Sequence, residues 1–155
     1  MEGRLVKGQI GVIGGAECPS EIYEIAREVG REIATNEFAL VCGGLGGVME
    51  AACRGAKEVG GITIGLLPTR EKKDANEYCD LVIPTDLGHA RNVLVVHASD
   101  ALIAIDGGAG TLSEIAIALK VRKPIVGIKT WELEGRVPLA KRGGEAVAML
   151  MEMLR

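Results

Sequence analysis

Six short apolar runs alternate with helix-like segments along almost the whole chain. Each run is continuously apolar and rich in β-branched residues, which is typical of strands that are buried on both faces of a parallel sheet. The segments between them repeat apolar residues at three- and four-residue spacing, which predicts amphipathic helices. The predicted strands are QIGVIG, FALVCG, ITIGLLP, LVIPT, ALIAID and PIVGI, and the predicted helices are Pro19–Asn36, Val48–Val59, Ala90–Ala98, Thr111–Val121 and Gly144–Leu154.

This alternation predicts an α/β fold, in which a single doubly wound, mostly parallel sheet carries helices on both faces in a Rossmann-like arrangement. The 155-residue chain shows no internal repeat and no boundary between regions of different composition. We therefore expect one nucleotide-binding domain over residues 1–155. The charged segment TREKKDANEYCD, residues 69–80, interrupts the alternation, and its pattern does not indicate a role.

Charge and composition argue against several classes of function. The net charge is −3 with acidic and basic residues interspersed, so we expect no nucleic-acid partner. We see no targeting segment and no apolar run long enough to span a bilayer, so we expect a cytoplasmic protein without a membrane partner. The four cysteines, Cys18, Cys42, Cys53 and Cys79, are scattered without a C-x-x-C pair, which predicts no metal site. Cys42 and Cys53 lie in apolar runs and are expected in the core.

Glycine clusters mark the edge of the predicted sheet where a ligand is expected. Of the 22 glycines, three groups (Gly14–Gly15, Gly43–Gly47 and Gly107–Gly110) follow predicted strands. Ligands of doubly wound sheets bind beyond the carboxyl ends of the strands, and glycine before a helix lets a phosphate approach free backbone N–H groups. Tight turns without a ligand are the alternative, and neither standard nucleotide fingerprint is matched. The candidate ligand-binding residues are Gly14, Gly15, Gly43, Gly44, Gly46, Gly47, Asp106, Gly107, Gly108, Gly110 and Thr111.

Glu114 has two interpretations. Its spacing from Thr111 fits a capping box, in which Thr111 caps the helix and Glu114 returns the hydrogen bond. Alternatively Glu114 is catalytic. Arg91 opens an otherwise apolar helix, where a cation opposes the helix dipole, so it needs an anionic partner unless solvent covers it. His97 is expected to be a hydrogen-bonded core residue, whereas His89 is the better candidate to meet solvent or ligand.

Two longer segments resemble a known family. They are GGLGGVMEAACRGAKEVGGITIGLLP and HARNVLVVHASDALIAIDGGAGTLSEIAIAL, with the motifs G-G-x-x-G-x-M and G-G-x-G-T-x-x-E in this order. Over residues 10–128 the chain resembles the Lonely Guy family of cytokinin-activating phosphoribohydrolases, to which molybdenum-cofactor-carrier-like proteins also belong. The resemblance implies a Rossmann-like domain in a dimer or larger homo-oligomer. It also implies one of two activities: hydrolysis of a nucleoside 5′-monophosphate to base and ribose 5-phosphate, or binding of the molybdopterin cofactor through its phosphate and pterin.

The resemblance also implies residue roles. It places the catalytic pair on Arg91 and Glu114, and the phosphate-binding turn on Gly107, Gly108, Gly110 and Thr111. Two positions depart from the hydrolase pattern, because Asp106 replaces the usual proline and Asn92 the usual lysine. Both changes make the surroundings of a bound phosphate more negative, so the chain looks closer to the carrier-like branch.

Three functional hypotheses follow. The favoured one is a protein that binds a small phosphorylated ligand, either a nucleotide or a molybdopterin-type cofactor, with no other cofactor required. The alternatives are an N-glycosidic hydrolase, with Glu114 stabilising an oxocarbenium-like transition state, and a scaffold without a ligand. An apolar face on the terminal helix, together with the family resemblance, predicts a homodimer or larger homo-oligomer.

Overall fold

The computed structural model describes residues 4–155, which form one six-stranded, all-parallel sheet with five helices. The strands lie in the order β4-β3-β2-β1-β5-β6. The elements are β1 (Gln9–Gly14), α1 (Ser20–Thr35), β2 (Ala39–Cys42), α2 (Val48–Glu58), β3 (Thr63–Leu67), β4 (Leu81–Pro84), α3 (Arg91–His97), β5 (Ala101–Ile105), α4 (Ala109–Lys120), β6 (Ile125–Ile128) and α5 (Gly143–Met153). The predicted Rossmann-like fold is confirmed, and each predicted strand and helix is present with small shifts at its ends.

Helices cover both faces of the sheet, which explains why the strands are continuously apolar. On one face, Ile10, Val12 and Ile103 pack in a core with residues of α1, α2 and α5. On the other face, Ile13 and Leu102 pack in a second core with residues of α3 and α4. Because successive strand residues point to opposite faces, a strand between two helix layers must be apolar at every position.

The outermost strand, β4, departs from this pattern. Its side chains Leu81 and Ile83 are 55% and 50% exposed. They are in register with Ile64 and Leu66 of β3, which belong to the core under α3 and α4. The connection from β3 to β4 contains only a single helical turn at Lys72–Asp74. An apolar strip at this edge of the sheet therefore remains open to solvent.

The terminal helix uses its apolar face within the chain. Ala146, Val147 and Leu150 of α5 are buried in the core that contains α1 and α2. This face was the sequence basis for expecting a homo-oligomer, and the structure shows that it is already covered. An assembly of several chains would have to use another surface.

The order of the strands identifies the edge of the sheet at which a ligand is expected. The chain adds β2, β3 and β4 outward on one side of β1, and then adds β5 and β6 on the other side. β1 and β5 pair in register from Ile10 with Ala101 to Gly14 with Ile105. Their carboxyl ends meet where the winding direction reverses, and at this point doubly wound folds form a ligand crevice.

Of the helices in the described part of the chain, none is long and apolar enough to cross a membrane.

Candidate functional site

A cleft of about 270 Å³ opens at this edge of the sheet. Turns after β1, β2 and β5 form its walls, and the first residues of α3 and α4 form its rim. The lining residues are Val12, Ile13, Gly14, Gly15, Ala16, Gly43, Leu45, Met49, His89, Arg91, Asn92, Gly108, Gly110, Thr111 and Glu114. The structure therefore brings together both predicted catalytic residues and six of the predicted ligand-binding residues.

The first turn of α4 faces this cleft and begins earlier than its sequence suggests. Gly107 has a positive φ of 91° and Gly108 is the non-helical cap residue, so the helix begins at Ala109 rather than at Thr111. The N–H of Leu112 bonds to the carbonyl of Gly108 at 3.0 Å, whereas the structure records no acceptor within residues 4–155 for the N–H groups of Gly110 and Thr111. Free N–H groups at a helix start favour an anion.

The capping-box interpretation of Glu114 is consequently wrong. Thr111 is the third residue of the helix rather than its cap, and the helix start has no side-chain cap. Gly107 and Gly108 form the turn that leads into α4, in place of a turn with Thr111 as the cap residue. Glu114 lies in the next helical turn, where its side chain lines the cleft.

Arg91 is a buried cation without a matching anion in the described chain. It is the first residue of α3, is only 8% exposed, and its Nε has no hydrogen-bond partner. No carboxylate of residues 4–155 lies within 4 Å of its guanidinium. Burial lowers the pKa of Arg91, and the charge of Glu114 opposes this shift. Arginine nevertheless remains charged in proteins, so this site favours an anionic ligand.

Glu114 is the buried carboxyl group of the cleft. Only 6% of the residue is exposed, and the structure records no hydrogen bond to its carboxylate from the rest of residues 4–155. Burial raises the pKa of Glu114 to about 7, and the positive charge of Arg91 opposes this effect. Near neutral pH the side chain can therefore either donate or accept a proton.

The predicted glycines have different roles in the structure. A Cβ added to Gly108 or Gly110 would meet open space, so these two positions leave room for a ligand. A Cβ added to Gly14 would overlap Val48, and one added to Gly43 would overlap Arg91. These two glycines therefore serve close packing around the cleft as well as lining it.

The other predicted binding residues lie away from the cleft lining. Gly44 and Gly47 have positive φ values of 79° and 59°, so they form the turn between β2 and α2. This turn uses backbone donors within the protein, because Gly44 N–H bonds to Cys42 Sγ at 3.3 Å and Val48 N–H to the Gly15 carbonyl at 3.0 Å. Gly46, Asp106 and Gly107 also lie outside the lining. Their roles as ligand contacts remain predictions.

Polar residues around α3 complete the rim. Asn92 Nδ2 donates to Ser113 Oγ at 3.1 Å, and this hydroxyl donates to the Gly110 carbonyl at 2.6 Å. The pair links α3 to the first turn of α4, and the sequence patterns did not single out Ser113.

His89 is exposed and lines the cleft as expected. His97 is exposed, so its prediction as a core residue is wrong; it lies on the outer side of the short α3.

The sequence relatives include a phosphoribohydrolase. An uncharacterized protein of Archaeoglobus fulgidus is 55% identical over 121 residues, which cover 78% of this chain and 80% of that protein. The cytokinin riboside 5′-monophosphate phosphoribohydrolase of Mycobacterium tuberculosis is 36% identical over 122 residues, which cover 72% of this chain. The chain spans 65% of the length of that enzyme.

Solved structures with the same fold match almost the whole chain. The molybdenum cofactor binding protein of Rippkaea orientalis superposes with a TM-score of 0.91 and 34% identity, covering 98% of this chain and 100% of that one. The molybdenum cofactor carrier protein of Chlamydomonas reinhardtii superposes with a TM-score of 0.86 and 36% identity, covering 96% and 99% of the two chains. The resemblance to the Lonely Guy family and its carrier-like branch is thus confirmed. Since the model of the SLOG cluster4 family matches residues 7–152, the chain belongs to that family.

Proposed function

We propose that this protein binds a small phosphorylated ligand of the pterin or nucleotide type in the cleft and acts as a carrier. The single observation that carries the proposal is the buried Arg91, whose Nε has no partner and whose guanidinium has no carboxylate within 4 Å among the described residues. An unpaired buried charge is costly, so the arrangement is favourable only when an anion occupies the cleft.

The start of α4 supports the phosphate as that anion. The N–H groups of Gly110 and Thr111 lack acceptors in the described chain, and Gly108 and Gly110 leave the approach open. A phosphate can accept from these donors and from a guanidinium at once. A molybdopterin-type cofactor fits this donor set through its phosphate, with Arg91 and the first turn of α4 as its proposed contacts.

Glu114 gives the cleft a group for the rest of the ligand. With a pKa of about 7, its carboxyl can donate to a ring nitrogen when protonated or accept from a ring N–H when ionised. Pterins and purines offer both kinds of group. The solved cofactor-binding proteins, which match this chain over almost its full length, also support the carrier proposal.

The proposal is tested by replacing Arg91 with methionine, which keeps most of the volume and removes the charge. Hydrogen bonds to a charged group contribute about 1.5–3 kcal/mol, so affinity for the phosphorylated ligand should fall about 10–100-fold. The ligand retained by freshly purified protein is identified by mass spectrometry, and affinities for it and for adenosine and guanosine monophosphates are measured by calorimetry.

Arg122→Met is the matched control, because Arg122 is exposed beyond the end of α4, at the opposite edge of the sheet. It should retain wild-type affinity. Equal affinity in Arg91→Met and Arg122→Met would contradict the anion site. A retained phosphorylated pterin indicates a carrier of that cofactor, whereas a retained nucleoside monophosphate favours nucleotide as the ligand.

A second function, hydrolysis of a nucleoside 5′-monophosphate, is favoured by Glu114 and Arg91 lining one cleft. A carboxyl with a pKa near 7 can protonate the departing base and, once ionised, stabilise the positive charge that develops on the ribose. Glu114→Gln keeps the shape and removes both functions, so release of free base should fall about 100-fold or more. Chromatography of adenosine and guanosine monophosphate digests measures this. Binding by wild type without base release would exclude the hydrolase.

A further inference from the structure

Three cysteines that are distant in the sequence meet beside the first glycine turn. Cys42 ends β2, Cys53 lies in the middle of α2, and Cys79 lies just before β4. The Sγ atoms of Cys42 and Cys53 are 3.5 Å apart, and all three sulfurs lie within 4.8 Å of one another. Cys42 and Cys53 are buried and Cys79 is half-buried. The cysteines are scattered in the sequence, which argued against a metal site, but the fold brings three of them together.

The separations match a set of metal ligands. Three thiolates on one tetrahedral zinc ion, each with a Zn–S distance of about 2.3 Å, place their sulfurs about 3.8 Å apart. The Cys42–Cys53 separation of 3.5 Å is close to this value and neither separation from Cys79 exceeds 4.8 Å, so small side-chain adjustments suffice. We propose that Cys42, Cys53 and Cys79 bind one zinc ion, with water as the fourth ligand on the half-exposed side of Cys79.

The net charge of the occupied site favours a divalent ion. Three thiolates around Zn²⁺ leave one negative charge, whereas a monovalent ion such as Cu⁺ leaves two, and the cost of burying charge rises with its amount. Gly44 N–H points at Cys42 Sγ from 3.3 Å and stabilises negative charge on that sulfur. A thiolate site with three protein ligands and one open position suits zinc.

A zinc ion here would fix one wall of the cleft. The segment that carries Cys79 already contacts the glycine turn, because Asn76 N–H bonds to the Gly44 carbonyl and Asn76 Nδ2 to the Leu45 carbonyl, both at 2.9 Å. Zinc would add a third connection between this segment and the turn. Gly43 follows Cys42 directly and lines the cleft, so the metal would hold residues 69–80 against the cleft wall.

The test uses metal-free full-length protein, reduced with a phosphine and titrated with Zn²⁺ alone under nitrogen. After gel filtration, elemental analysis should find one zinc per chain in wild type and in Cys18→Ser, and none in Cys79→Ser. Cys18 is the matched control because it is also half-buried but lies outside the cluster. Co²⁺ in place of zinc should show the intense visible absorption of a four-coordinate thiolate site.

A second measurement does not depend on any variant. Iodoacetamide labelling of native wild type, read by peptide mass spectrometry, should be slowed by Zn²⁺ at Cys79 and unchanged at Cys18. Substoichiometric zinc in fully reduced wild type, equal zinc in Cys79→Ser, or unprotected Cys79 would each overturn the proposal. None of these readouts involves phosphorylated ligand, so they are independent of the proposed function.

Discussion

Glu114 and Arg91 are both buried in the cleft, where little water remains to stabilise either charge. This burial raises the pKa of the Glu114 carboxyl, because the neutral form is easier to bury than the charged form. The effect is strong enough to outweigh the attraction of Arg91, since the pKa of Glu114 remains near 7. Its protonation therefore changes within the physiological range, and so must its contribution to stability.

At the residue scale we predict a stability that falls with pH because of Glu114. Below about pH 4.5 the carboxyl is neutral in both folded and unfolded chains and costs nothing. As pH rises to about 7, Glu114 loses its proton in the unfolded chain before it does so in the folded chain. Folding therefore becomes less favourable, by about 3 kcal/mol when each pKa unit counts as about 1.36 kcal/mol. Glu114→Gln should therefore unfold like wild type near pH 4 and be more stable at pH 8.

Urea unfolding of both proteins at pH 4, 6 and 8 measures this difference. Glu132→Gln is a suitable control, because Glu132 is exposed and its carboxylate has no hydrogen bond or ion pair recorded within residues 4–155. A stability difference between wild type and Glu114→Gln that does not change with pH would show that the carboxyl is not desolvated.

At the scale of one element, the first turn of α4 combines free N–H groups with open space. Gly110→Val should fold, because an added Cβ meets nothing within 4 Å, yet its branched side chain should fill the phosphate approach. We predict loss of measurable binding of the retained ligand by calorimetry, with a melting temperature close to that of wild type.

Ala109→Val is the control for that prediction. Ala109 is the neighbouring residue in the same turn but does not line the cleft, so the variant places the same branched side chain in this turn without blocking the ligand. It should bind as wild type does. Similar binding by both variants would place the ligand elsewhere.

At the scale of the whole molecule, the family resemblance implies a homo-oligomer, and α5 does not supply its surface. The open apolar strip on β4, with Leu81 and Ile83, is the surface that we predict a second copy covers. Charged lysines on an edge strand oppose pairing with another chain. The double variant Leu81→Lys, Ile83→Lys should therefore be monomeric, while wild type is a dimer or larger.

Sedimentation velocity at micromolar concentration distinguishes these states. Val59→Lys is the control, since Val59 is also exposed but lies after α2 on the other face of the sheet. A monomeric wild type would contradict the prediction, as would a double variant with an unchanged mass.

The order of strands and helices is readable from the sequence because it depends on local periodicity. Continuous apolar runs such as ALIAI can be buried only between two helix layers, and a parallel sheet of such strands must place the glycine turns at one edge. Arg91 and Glu114 could be singled out by position and by family resemblance. The start of α4 could not be predicted in this way, because the backbone conformations of Gly107 and Gly108 depend on their neighbours. As a result the helix begins before Thr111, and Thr111 is not its cap residue.

The sequence by itself thus determined the fold and the edge of the sheet where the glycine turns meet, since both follow from spacing along the chain, and family resemblance added Arg91 and Glu114. Only the tertiary structure decided which glycines line the cleft, that the buried Arg91 has an Nε without a hydrogen-bond partner among residues 4–155, and that burial raises the pKa of Glu114. The meeting of Cys42, Cys53 and Cys79 was also decided there. The physical reason is that burial and close contact depend on how helices pack across the sheet, and residues far apart in the chain carry no local sign of that packing.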